Sequence, residues 1–150
     1  MNPRNHAPVL MCDFISISVP KSATDRMSKW RRRYYALSPH DNPTLKRQLP
    51  AGYSTWVLTK GGCSCDLCVS AGSVPHHGST TPDLTLSADA MEIVHEIAAG
   101  LDRVFLYVHQ YAGDISTEQL PIASKERRKI NDFGAQGSFR RDSLIELTTR

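Results

Sequence analysis

The chain has 150 residues, 40% hydrophobic and 22% charged, the make-up of one soluble globular domain whose core needs no disulfide staples. No apolar run approaches the roughly 18 residues of a membrane span, and residues 1–8 hold no apolar stretch of signal-peptide length. The net charge of +3 hides a segregation: nine Lys/Arg against three Asp/Glu over residues 1–50, two against eight over 51–123, and seven against four over 124–150. A nucleic-acid binder is more often basic throughout, so the pattern points instead to two differently charged surfaces, or to segments that attract each other.

After an N-terminal tail over residues 1–8, Val9–Val19 reads as a strand, because Ile15, Ile17 and Val19 alternate with Phe14, Ser16 and Ser18. Pro20 ends it. A helix is expected next, opened by Ser22 and Asp25 and carrying Ala23, Met27, Trp30, Tyr34 and Leu37 on one continuous apolar stripe. That stripe assigns Trp30 and Tyr34 to the core and Arg31, Arg32 and Arg33 to the solvated face, which is the candidate binding surface. Ser38–Gly52, with three prolines, reads as a loop. Tyr53–Thr59 is a second strand, rich in β-formers. It leads into Gly61-Gly62-Cys63-Ser64-Cys65-Asp66-Leu67-Cys68, and Val69–Thr85 follows as another loop.

Ser87 is an N-cap for a second helix with Leu86 and Met91 placed as a hydrophobic staple. Ala90, Val94, Ile97 and Leu101 form its buried stripe, and Gly100 marks its stop. Val104–Val108 is apolar on both faces, the signature of a central strand covered on both sides. Ser124–Phe133 reads as a short basic helix ended by Gly134, and Leu144–Thr148 as a last strand. The sum is a single α/β (α+β) domain over residues 1–150. It has a four- to five-stranded mixed or antiparallel sheet and two main amphipathic helices packed on one face.

Four cysteines at uneven spacing argue for free thiols in a cytoplasmic setting. Cys63, Cys65 and Cys68 put three thiolates in one loop, and Cys12 could complete a tetrahedral zinc site, with His76 or His77 as alternative ligands. Topology decides whether Cys12 takes part. A parallel pairing of the first two strands leaves Cys12 and the loop at opposite ends of the sheet, whereas an antiparallel one brings them together. Redox chemistry at Cys65-Asp66-Leu67-Cys68 would need the motif at a helix N-terminus, and Val69-Ser-Ala-Gly-Ser-Val-Pro75 is no helix. No nucleophile elbow, HExxH, P-loop or dinucleotide fingerprint is present, so no catalytic residue is assigned. His95 and His109 read as structural, with His109 and Asp114 kept as the one strand-end pair that could be chemical.

Taken together, Cys12-Asp13-Phe14-Ile15, Asn42-Pro43, Gln48-Leu49, and Leu58-Thr59 leading to Gly62-Cys63-Ser64-Cys65 resemble a group of small uncharacterised bacterial proteins. In those an opening Cys-Asp-Phe is followed by a Gly-x-Cys-Asp-Cys-Gly loop. The likeness covers about the first 65 residues. Here Ser64 replaces the middle Asp, and Asp66-Leu67 stands where Gly-Thr is expected. The resemblance implies a shared Cys12/Cys63/Cys65 cluster, with Cys68 outside it, and brings no activity.

The leading expectation is therefore a non-enzymatic cytoplasmic binding protein with a protein partner, such as an immunity protein that occludes a bacterial toxin. Arg31, Arg32, Arg33 and Asp66 would serve as its charged surface. The alternative is a small zinc- or thiol-dependent protein using the cysteine loop. A third reading is a nucleic-acid binder combining Lys29–Arg33 with Arg127, Arg128, Lys129, Arg140 and Arg141. No membrane partner is expected.

Overall fold

The computed structural model describes residues 12–70, 83–136 and 138–150; the expected tail, the start of the first strand, and His76 and His77 lie outside them. It is a single-domain α+β fold. Among the described residues a six-stranded mixed sheet runs in the order β2-β3-β1-β6-β9-β7, and a small sheet has the order β4-β5-β8. The strands are β1 (Cys12–Pro20), β2 (Tyr35–His40), β3 (Tyr53–Lys60), β4 (Cys68–Ser70), β5 (Asp83–Leu86), β6 (Arg103–Tyr111), β7 (Ser124–Lys129), β8 (Ser138–Arg140) and β9 (Ser143–Thr148). The helices are α1 (Thr24–Lys29), α2 (Pro43–Gln48), α3 (Ala88–Ala98) and α4 (Ile130–Gln136). No helix among the described residues is long and apolar enough to cross a membrane.

Alternation along β1 and β6 builds two cores, one on each face of the sheet. Ile15, Ile17 and Val19, with Val104, Leu106 and Val108, meet Met27 of α1, Ile93, Val94 and Ile97 of α3, and Phe133 of α4. On the other face Phe105, Tyr107 and Tyr111 meet Leu45 of α2, Leu120 and Leu144. The strand at Val104–Val108 is thus covered on both sides, as its composition requires. The two expected helices do share one face, but α2 closes the other and the strands outnumber the four or five expected.

The structure departs from the sequence reading in several places, one being the expected loop Val69–Thr85, which holds most of β4 and the start of β5, paired antiparallel with each other. The first helix ends at Lys29, where Trp30 turns extended (φ −61, ψ 133), and Tyr35–His40 continues as a strand paired antiparallel with β3. Tyr34, expected in the core, stands 70% exposed with φ +72. Two local signals oppose the long helix: the residue before Pro39 is pushed out of the α region, and Tyr35 and Leu37 share a face at strand spacing. Pro39 is tolerated because β2 is an edge strand. Within the expected loop Ser38–Gly52, α2 forms because Asn42 caps it, accepting from Thr44 N at 2.9 Å, and Pro43 occupies its first turn. Ser124–Lys129 is strand, not helix: it runs parallel to β9 with Arg127 opposite Glu146, and the helix after it runs through position 134 rather than stopping there. Its charged side chains suit an edge.

The charge segregation is partly spent inside the molecule. Arg26 donates to the carbonyls of Ile97 and Ala99 at the C-terminus of α3, at 2.8 and 2.6 Å, where a helix end attracts cations. Arg32 pairs with Asp89 and Glu92 at 3.7 and 3.5 Å. The Trp30 indole donates to Glu96 and the Tyr35 hydroxyl to Asp89. The basic N-terminal third is therefore fastened onto acidic α3.

Candidate metal centre

β1 and β3 are antiparallel, with Ile15 opposite Leu58 and Pro20 opposite Tyr53. The end of β3 therefore lies beside the start of β1, the arrangement on which Cys12 depended. At that end the chain reverses through Gly61 and Gly62, whose φ values are +68 and +98, and Lys60 N–H donates to Cys63 O at 2.8 Å. Two successive positive φ values are the requirement of a type I′ turn. A Cβ at either glycine would meet nothing within 4 Å, so backbone conformation alone selects glycine here.

Ser64 then pins the returning chain to β1. Its N–H donates to Asp13 O at 2.9 Å, its hydroxyl donates to Leu58 O, and Ile15 N–H donates to its Oγ at 2.9 Å. The residue is fully buried. Cys63 and Cys65 flank this anchor, and a single 3-10 turn at Cys65–Leu67 is closed by Leu67 N–H to Ser64 O at 2.9 Å. As a result the sulfurs of Cys12, Cys63 and Cys65 all lie within 4.8 Å of one another. A tetrahedral zinc with Zn–S bonds near 2.3 Å needs thiolates about 3.8 Å apart, so a contraction of an ångström or less suffices. Cys12 and Cys63 are half-buried, Cys65 is buried, and all are free thiols.

Burial, followed by the neighbouring Cys63, pushes the Cys12 thiol above its ordinary value. Burial, and next the hydrogen bond with Cys63, pushes Cys65 up as well, while a backbone hydrogen bond from Asp13 works the other way. Without a cation the Cys12 and Cys65 sulfurs carry protons at neutral pH; a metal would have to displace them.

Cys68, expected as a fourth ligand, stands apart from this cluster. Strand alternation places Cys12 with Phe14 and Ser16, whereas Cys68 packs among Ile15, Ile17 and Leu67 on the opposite face, and burial raises its thiol strongly. Beside the cluster Asp13 and Arg141 form a buried bidentate ion pair, at 2.8 and 3.0 Å. Arg141 is therefore interior and contributes to no nucleic-acid surface.

The other expected site residues are dispersed. The Arg31 guanidinium caps the carbonyls of Ser28 and Trp30, both at 2.7 Å, and Arg33 covers the Tyr34 ring at 4.8 Å. Asp66 is exposed on the cysteine turn. Arg31–Arg33 lead into β2 and Arg127 and Arg128 lie on β7, the two outer edges of the large sheet. Five strand spacings of about 4.8 Å separate those edges, so the two basic runs make no common patch. His109 does not pair with Asp114. Its Nδ1 meets Asp142 at 2.6 Å and its Nε2 meets Glu118 at 2.7 Å. No periodicity or motif marks Asp142 or Glu118 as its partners; the β8–β9 turn, with Asp142 at φ +68, delivers one and the loop after β6 the other.

No family model, curated protein or solved structure matches the chain.

Proposed function

We propose that this protein is a metal-binding protein whose working centre is Cys12, Cys63 and Cys65, and that the metal is zinc. The observation that carries the reading is the meeting of three sulfurs, from two distant chain segments, within 4.8 Å. Three soft thiolates select zinc over the hard cations magnesium and calcium. A tetrahedral ion held by three protein ligands keeps a fourth position for a ligand from outside this trio, the pattern of catalytic rather than closed structural sites. Thiol redox chemistry is the weaker form of the same idea, because a reactive cysteine needs a lowered pKa and burial moves Cys12 and Cys65 the other way. The sequence alone favours an occluding binding protein; the gathered thiols give the metal reading the firmer physical footing.

The test is native mass spectrometry and elemental analysis of untagged protein, with zinc added back to metal-free protein. One zinc per chain is expected, lost in Cys12→Ser and kept in Cys68→Ser. Protein that takes up no zinc at micromolar concentrations, or whose uptake depends on Cys68 and not on Cys12, would sink the proposal.

A further inference from the structure

A second site lies at the other end of β1. Lys21 follows the last residue of that strand, whereas Cys12 is its first. A cavity of about 410 Å³ opens there between the start of α1, the end of β2 and helix α2, lined among others by Lys21, His40, Lys46, Leu49, Tyr53 and Trp56. This volume falls within the roughly 300–1,000 Å³ of small-molecule sites.

Its chemistry is that of a site for a small anion. Lys21 and Lys46 reach it from two different elements, and among the described residues neither forms an ion pair. His40 is buried, and its Nε2 has no hydrogen-bond partner in the protein, an orphan that calls for an explanation. Burial also lowers the pKa of this imidazole, so at neutral pH the ring offers one donor and one acceptor. Asp41 on the rim offsets one lysine. The lining thus carries a single net positive charge, which suits one small anion and not a nucleic-acid strand. Leu49, and Tyr53 on the face of β3 that His40 shares through its pairing with Thr55, supply an apolar and aromatic wall on which a planar group can rest.

We infer that this cavity binds a phosphate monoester bearing a planar group, with Lys21 and Lys46 on the phosphate and Tyr53 against the plane. Lysine is a point-charge ligand for phosphate, and these two reach the cavity from different elements. This assignment stands independently of the cysteine centre.

The experiment is titration calorimetry of the full chain with AMP, adenosine and inorganic phosphate, repeated on Lys21→Ala, Lys46→Ala, His40→Gln and, as a basic control outside the lining, Lys125→Ala. AMP is expected to bind at least tenfold more tightly than adenosine or phosphate alone. Lys21→Ala and Lys46→Ala should each weaken it about tenfold at unchanged melting temperature, and Lys125→Ala should leave it unaltered. Since His40 is interior, His40→Gln is read only if its melting temperature is unchanged, and a several-fold loss is then expected. No AMP binding at millimolar concentration, or equal binding of adenosine, overturns the anion site. Inorganic phosphate binding as tightly as AMP overturns the role of the aromatic wall. A loss in Lys125→Ala as large as in Lys46→Ala would show diffuse charge rather than a site.

Discussion

Replacing Ser64 by alanine tests whether the cysteine loop is held as described. The hydroxyl is the acceptor for Ile15 N–H and the donor to Leu58 O, within a residue that solvent does not reach. Its removal leaves a backbone donor and a backbone acceptor buried without that partner, each costing about 1–3 kcal/mol when fully desolvated. Partial relaxation brings the expected loss to about 2–4 kcal/mol. At about 2–4 °C per kcal/mol for a chain of this size, that is a fall of roughly 5–15 °C in Tm. Urea denaturation should show the loss as a lower midpoint with unchanged m. Ser28→Ala is the control: its hydroxyl makes an exposed bond to Asp25 O, and it should change stability by less than about 0.5 kcal/mol. Because Ser64 sits between two of the proposed ligands, zinc affinity should fall about 10–100-fold as well. A Ser64→Ala protein melting within about a degree of wild type would refute both the buried bridge and the positioning argument built on it.

His109 links stability to pH. Burial alone would lower its pKa, but the hydrogen bonds to Asp142 and Glu118 outweigh burial and raise it above the ordinary 6.5. Its contribution is therefore complete below about pH 6.5 and is lost as pH rises through the higher folded value; urea midpoints measured from pH 6 to 9 should fall, and His109→Asn should flatten that decline. Asp13→Asn should cost about 3–5 kcal/mol by leaving the Arg141 guanidinium buried against a neutral partner, read from chemical denaturation; a loss under about 1 kcal/mol would mean that solvent reaches the pair. Gly62→Ala, at φ +98, should cost about 1–2 kcal/mol through backbone strain alone, and no steric relief elsewhere should rescue it.

What was legible in the sequence was whatever has a local cause. Alternation at Ile15, Ile17 and Val19, the Ser87 cap, which accepts from Ala90 N at 3.1 Å, and the two-sided burial of Val104–Val108 all follow from neighbouring residues. The apolar stripe from Ala23 to Leu37 fits one long helix, but β3 offers an open edge on which Tyr35–His40 gains a ladder of backbone hydrogen bonds, so the helix stops at Lys29. Ser124–Lys129 has no apolar alternation, so only its pairing with β9 makes it a strand. Asn42-Pro43 was a readable helix start that the three prolines obscured. For the site, local sequence makes the meeting of Cys12 with the loop conditional on antiparallel strands, and long-range pairing of β1 with β3 decides that condition. The Asp13–Arg141 and His109–Asp142 contacts join residues far apart in the chain and leave no local trace.

The parity of Cys12 and the chain reversal at Gly61-Gly62 fix how metal binding should couple to stability. A metal joining Cys12 to Cys63 and Cys65 clips a loop of about fifty residues. By the loop-closure estimate used for cross-links, such a clip restricts the unfolded chain by about 4 kcal/mol. The two cores on either face of the sheet contain no zinc ligand, so removing the ion leaves both intact. Chelation should therefore lower Tm by roughly 8–16 °C on that scale while the far-ultraviolet circular dichroism of the native state stays unchanged. This differs from zinc-finger peptides, in which the ion supplies the folding energy outright. Cys12→Ser should reproduce the lower Tm in the absence of chelator, and chelator should then have no further effect. Unfolding on chelation would instead mean that the cores cannot stand without the centre. No shift at all would mean that the three thiols hold no ion in the folded protein.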